Sequence, residues 1–252
     1  MKLSDEYKNQ NIWRNWPVYL EKVPISSGDT VLDLGCGIGY VTKLLAGVAS
    51  QVIGIDSNVA LLEEAKSINN AGNIMYINGD LRSINKQDLP LADGVWTSFT
   101  PAYFPDFAPI LRQWLALLKP TGWIAIVEID DLFAHHPLSN STREVLAAYY
   151  DRQRKAGFYD FEMGSKLKNF FLAEQLVITH EENMVDREFS FHGPADNQIL
   201  LAWETRLNRL LSLQSLFKDT YPEFKNEFLS CLTDTEHISK TQVKFIVARK
   251  NR

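Results

Sequence analysis

The sequence predicts an α/β fold with a parallel, doubly wound sheet and a helical cap. Three observations predict it. Short apolar strand patterns alternate with helix-spaced patterns through residues 30–129. The run Val31-Leu32-Asp33-Leu34-Gly35-Cys36-Gly37-Ile38-Gly39 places a glycine turn between a buried strand and a helix start. The alternation then stops, and helical patterns separate the last strands.

Residues 4–23 read as helical, with Ser4 and Asp5 as candidate N-caps and a break at Pro17. Strand one is Thr30 to Leu34, followed by a helix from Tyr40 to Ala49. Strand two is Gln51 to Ile55, followed by a helix from Val59 to Asn69 with Leu61, Leu62 and Ala65 on one face. Strand three is Ile74 to Ile77 and strand four Gly94 to Ser98. Ile110, Leu111, Trp114, Leu115 and Leu118 are at helical spacing in a helix from Pro105 to Leu118, before strand five, Trp123 to Ile129. Right-handed crossovers then make a parallel sheet nearly obligatory. Beyond it the pattern predicts a loop at 130–137, helices at 141–156 and 166–172, and one or two strands in 177–191. A long helix at 196–218, another at 222–232 and a final strand at 241–249 follow. The expected division is a helical lid segment at 1–28, a core at 29–130, a cap at 131–175, and C-terminal strands at 176–252 with a helical insertion at about 195–232. Such a cap would cover the carboxyl edge of the sheet, where ligands bind in this architecture.

The chain has 252 residues, two cysteines and a formal net charge of −5. The charge disfavours a nucleic-acid partner, because phosphate binding needs a basic surface. Arg152, Arg154 and Lys155 read as a solvated helix face. Cys36 and Cys231 are too few for a disulfide framework, which makes the cytoplasm the default location. No apolar run reaches the roughly 18 residues of a membrane span. The polar stretch Met1 to Gln10 has no apolar signal core.

Glycines 35, 37 and 39 remove side chains where a ligand approaches the backbone. A nicotinamide fingerprint wants G-x-G-x-x-G, whereas Gly35-Cys36-Gly37-Ile38-Gly39-Tyr40 is G-x-G-x-G. Asp33 lies inside strand one. Asp56 ends strand two, where a carboxylate can accept from both ribose hydroxyls. Asp80 ends strand three, where it can accept from an adenine amino group while Leu81 packs on the ring. Taken singly, Asp56 could be a helix N-cap and Asp80 a turn residue.

Five motifs in order resemble the class I S-adenosylmethionine-dependent methyltransferases of small-molecule type. They are Val31 to Gly39, Gly54-Ile55-Asp56, Asn78-Gly79-Asp80, Ala92 to Ser98, and Leu118-Lys119-Pro120-Thr121-Gly122-Trp123. Thr121 departs from the pattern, where many members have glycine. The resemblance implies a seven-stranded Rossmann-like sheet, mostly parallel, with an antiparallel terminal strand. It implies S-adenosylmethionine as cofactor, and no metal site is expected. Gly35, Gly37 and Gly39 would line the methionine portion and ribose, and Asp33 would orient the turn or the amino group. Asp56 would hold the ribose hydroxyls beside Ser57 and Asn58. Asp80 and Leu81 would flank the adenine, and Thr97, Ser98 and Phe99 would face the methyl-donor end.

The expected partner is a small-molecule methyl acceptor, attacking through O or N, in a protein that is a monomer or homodimer. Glu128, Asp130, Asp131, His135 and His136 follow strand five and are the candidate bases, with His135 and Asp130 taken as catalytic. His192 is a weaker candidate. His136, Tyr103 and Phe104 are expected to contact the acceptor, within a rim formed by Thr100 to Pro105. Arg14 could reach the cofactor carboxylate if the N-terminal helix folds over the site, but an exposed arginine is the default. An Asn-Pro-Pro-Tyr motif after strand four would have pointed to bases or glutamine, and it is lacking. The alternatives are an RNA or protein methyltransferase, a non-catalytic binder of the same cofactor, and a nicotinamide oxidoreductase.

Overall fold

The computed structural model describes residues 3–84 and 89–251. The N-terminal segment forms α1 (Leu3–Trp13) and α2 (Trp16–Leu20). The break falls at Arg14 and Asn15, upstream of Pro17, which sits in the first turn of α2. A proline is tolerated there because its missing N–H has no intrahelical partner to lose.

The alternating core then runs β1 (Thr30–Leu34), α3 (Tyr40–Ala46), β2 (Gln51–Asp56), α4 (Val59–Ile68), β3 (Ile74–Asn78), β4 (Ala92–Ser98), α5 (Phe107–Ala116) and β5 (Leu118–Asp130). These five strands pair in parallel. Val31, Leu32 and Leu34 are fully buried, as a central strand covered on both faces requires. A two-residue β6 (His135–His136) follows, then α6 (Asn140–Lys155), α7 (Met163–Ala173) and β7 (Val177–Met184). The last part contains α8 (Asn197–Arg209), α9 (Leu211–Phe217), α10 (Tyr221–Thr233), β8 (Ile238–Ser239) and β9 (Gln242–Arg249).

Seven strands form one sheet in the order β3-β2-β1-β4-β5-β9-β7, and β9 is antiparallel to both neighbours. The order reverses between β1 and β4, so the glycine turn leaves the sheet at its topological switch point. β6 and β8 pair separately. One core layer, built on Leu32, Leu34 and Ile53, joins α5 and α7 to the sheet. The other, built on Val31, Trp96 and Phe245, continues into Phe133, Trp203 and Phe228 of the cap. No helix among the described residues is long and apolar enough to cross a membrane.

Strand five, expected at Trp123 to Ile129, begins at Leu118, which the preceding helix was expected to hold, and His135–His136 form a short strand inside the expected loop at 130–137. Two further boundaries differ. The long helix expected at 196–218 breaks at Leu210, whose backbone leaves the helical region (φ −78°, ψ 68°). The stretch 177–191 holds one strand and then a loop, because Asp186 Oδ1 accepts the backbone N–H groups of Glu188 and Phe189. Such side-chain bonding offers the backbone an alternative to a strand ladder.

Gly39 is tied to this packing. Its φ is +72°, and a Cβ there would lie 2.1 Å from the Tyr76 hydroxyl, which itself donates to the Asn69 carbonyl at 2.6 Å. Gly39→Ala is expected to destabilise the fold by about 2–4 kcal/mol through left-handed strain plus overpacking. Thermal denaturation should show a loss of several degrees, and an unchanged midpoint would mean Tyr76 yields freely.

Candidate cofactor and acceptor cavity

The turn after β1 is held by Gly35 and Cys36, whose N–H groups donate to the Ile55 carbonyl at 2.8 and 3.1 Å. All three of its glycines have positive φ. A Cβ on Gly35 would strike the Thr100 side chain at 2.1 Å, so this glycine, like Gly39, serves close packing. Gly37 differs: the nearest atom to its would-be Cβ is the Tyr7 ring at 3.5 Å. That face of the turn opens into a cavity of about 440 Å³, within the range of small-ligand sites.

Carboxylates shape one end of the cavity. Asp56 accepts from the Gly37 N–H at 2.8 Å and from the Asn58 N–H at 2.8 Å. It latches the turn, while Asn58 itself caps α4. Each Asp56 oxygen has a lone pair left for a ligand hydroxyl. Asp33 is buried and accepts from Thr42 Oγ1 at 2.5 Å. Burial outweighs that bond and pushes its pKa up to about 7. Asp80 is exposed and accepts the Arg82 N–H at 2.9 Å, and Leu81 beside it is buried. Asp33, Gly35, Gly37, Asp56, Ser57, Asp80, Leu81, Ser98, Tyr103 and Phe104 all line this one cavity.

Gly39, Asp130, His135 and His136 are not among its lining residues. His135 lies in the cap core, edge-on to Trp203 and Phe228, with its Nδ1 2.9 Å from His237 Nε2. Burial, with His237 and His136 adding to it, pushes its pKa down to about 3, so the ring is neutral. His136 borders a separate cavity of about 300 Å³. Burial and the nearby Lys240 and Arg143 lower its basicity. Asp130 accepts the Ser165 N–H at 2.9 Å in the first turn of α7. Asp131 accepts from the Tyr150 hydroxyl, and Glu128 is fully buried with its oxygens on the N–H groups of Ala102 and Ile129. His192 is exposed. The chain turns sharply after β5 at Asp131 (φ +57°), and the histidines follow it into the cap.

Beside Tyr103, which the sequence assigns to the acceptor, the rest of the cavity wall is built by residues to which the sequence assigns no role or a bland one. Arg14 is buried, with its guanidinium 4.5 Å from the Phe99 ring centre, and bonds Asp186 and Glu188 at 2.9 and 3.1 Å. Arg206 bonds Glu188 and lies 5.0 Å from the Phe189 ring centre. Arg209 bonds Glu6 at 2.8 Å. The three arginines line the cavity, and Glu6, Asp186 and Glu188 do not. The counter-charges therefore stand behind the guanidiniums. Tyr7, Tyr103 and Tyr159 line the cavity as well, Tyr7 against Gly37 and Tyr159 in the field of Arg206. Their pKa values are raised, mainly by loss of water around the hydroxyls, which keeps them protonated. The three-residue spacing of Arg206 and Arg209 puts both on one helix face, but the spacing alone does not tell a cavity from solvent.

A family model described as a methyltransferase domain matches residues 25–175. The chain is 36% identical over 136 residues to a 2-phytyl-1,4-naphtoquinone methyltransferase of Synechococcus elongatus, covering 50% of this chain and 54% of the relative. It is 31% identical over 154 residues to a trans-aconitate 2-methyltransferase of Escherichia coli, covering 55% and 60%. The match thus spans little more than half the length of these relatives. Among solved structures, an S-adenosylmethionine dependent methyltransferase from Mesorhizobium loti superposes with a TM-score of 0.55 at 21% identity, over 93% of this chain and 96% of that one. A Haemonchus contortus phosphoethanolamine N-methyltransferase 2 in complex with S-adenosyl-L-methionine gives 0.60 at 20% identity, over 98% and 57%. At such identities the structural likeness speaks for the fold. With the family match over more than half its length, the chain belongs to the class I S-adenosylmethionine-dependent methyltransferases.

Proposed function

We propose that the protein transfers a methyl group from S-adenosylmethionine to an oxygen or nitrogen atom of a small-molecule acceptor. The observation that carries this reading is a single cavity with two chemically distinct ends. Gly37, Asp33, Asp56 and Asp80 line one end, and aromatic rings, phenols and arginines line the other.

The residues fit the cofactor. Gly37 leaves its face of the turn open where a side chain would enter the cavity. Asp56 is oriented by two backbone N–H groups and would hold the ribose hydroxyls. Asp80 and the apolar Leu81 would flank the adenine, and Ser98 and Phe99 would face the methyl group. Arg14 would pair with the carboxylate of the methionine portion. The bound cofactor supplies an electrophilic methyl group on a sulfonium, which needs no activation by the protein. What remains for the chain is to orient the acceptor and exclude water. No histidine lines the cavity, and the phenols at the acceptor end are held protonated. The acceptor atom therefore attacks without a histidine base.

Three outcomes test this. Asp56→Ala should weaken S-adenosylhomocysteine binding about 10- to 100-fold by calorimetry, the scale of lost hydrogen bonds to a charged group; unchanged affinity would remove Asp56 from the site. Asp33 titrates near 7 and is ionised above it. If its charged form meets the amino group, affinity should rise by up to about tenfold from pH 6 to 8 and be flat in Asp33→Asn. A flat profile in the unaltered protein would end that assignment. Once an acceptor supports turnover, His135→Ala should cost stability, about 2–4 kcal/mol for an emptied core site, and leave the rate within about threefold. A rate loss of a hundredfold or more would reinstate the histidine as a base.

A further inference from the structure

The acceptor end of the cavity holds more hydrogen-bond donors than the protein itself uses. Arg206 spends one nitrogen on Glu188, while its Nε is buried without a hydrogen-bond partner among the described residues. Arg209 spends one nitrogen on Glu6. The hydroxyls of Tyr7, Tyr103 and Tyr159 make no hydrogen bond among the described residues, and Arg206 or Arg209 exerts its field on each of them. Glu6 and Glu188, the partners of Arg209 and Arg206, are not among the described lining residues. The aspartates that do line the cavity, Asp33, Asp56 and Asp80, stand near the ends of β1, β2 and β3, and Asp56 also acts on Tyr7 and Tyr103.

A buried guanidinium with an unused N–H is costly unless a ligand supplies the acceptor. Guanidinium forks match carboxylates in a planar, bidentate way, and protonated phenols add further donors. A cationic acceptor would meet repulsion here. A neutral one could accept these bonds but would leave the guanidinium charges without a counter-charge in the cavity.

We propose that the acceptor is an organic acid, held through its carboxylate by Arg206 and Arg209 with the hydroxyls of Tyr7, Tyr103 and Tyr159. This rests on the reading of the cavity as a methyl-transfer site and names the substrate class that site takes. Arg206 and Arg209 are its specificity residues, distinct from Arg14, which faces the cofactor. A cofactor contributes only one carboxylate, and Arg82, the fourth lining arginine, stands beside Asp80, so Arg206 and Arg209 remain for the acceptor.

The test uses the full chain loaded with S-adenosylhomocysteine. Its affinity for that product is measured first, and failure to bind would strike the cofactor reading itself, apart from the present proposal. The loaded protein is then titrated with succinate, tricarballylate, benzoate and 3-phenylpropionate, with the corresponding amides, and with phenylphosphonate. At least one acid should bind about tenfold or more tightly than its amide, the discrimination expected when buried donors lose a charged partner. Arg206→Gln and Arg209→Gln should each weaken that acid about tenfold while leaving the product's affinity within about threefold. Arg209 is half exposed, so its variant reports even if Arg206→Gln fails to fold. Arg206→Lys keeps the charge without the fork and should restore binding only in part. Acids binding no better than amides would overturn the proposal. So would acid binding that survives both substitutions, a loss confined to the product, or tighter binding of phenylphosphonate than of benzoate.

Discussion

Both ends of the chain depend on one buried carboxylate. Glu188 is 1% exposed and accepts from Arg14, Arg206 and Gln10. A charge taken out of water is tolerated only when it is paired and fully hydrogen-bonded. Glu188 meets that condition by joining α1, the residue between α1 and α2, and α8. Asp186, two residues away, holds the other side of Arg14 at 2.9 Å and fixes the loop that carries Glu188. Desolvation offsets much of the attraction in a buried pair, so a geometric role is the one the contacts themselves show. It decides where two guanidiniums point, and hence which charge faces the cavity.

The three glycines of the turn divide the work that one motif suggests. Gly35 and Gly39 give up a side chain so that Thr100 and Tyr76 can pack against the backbone. Gly37 gives one up beside the cavity, where only the Tyr7 ring comes within ordinary contact distance. Spacing alone cannot separate these roles, because all three positions need positive φ and look alike in sequence.

Strand edges were legible because both faces of the sheet are covered. Thr30 to Leu34 is an apolar run bounded by turn residues, and the observed β1 has the same limits. Asp56 was legible for a similar reason: a carboxylate closing an apolar strand has nothing to do in the core. The histidines were not. Their neighbours are polar and give no periodicity, and a turn at Asp131 sends them into the cap, where His237, 102 residues on, becomes the partner of His135. Arg206 and Arg209 were hidden by the opposite effect. An amphipathic helix has a charged face by default, and nothing in a helical period tells solvent from a cavity. Leu210 likewise fits the helix pattern on both sides, and no residue type there signals the break.

The ion pair between Glu6 and Arg209 joins residues 203 positions apart. The glycine turn and the carboxylates of the cavity come almost wholly from residues 33–104. Tyr103 aside, the wall that carries the arginines comes from α1, from the loop before α7 and from α8, and the contact between Glu6 and Arg209 exists only once the last third of the chain has docked on the first helix. That wall is thus a property of the completed fold, whereas the turn and its carboxylates come from one segment.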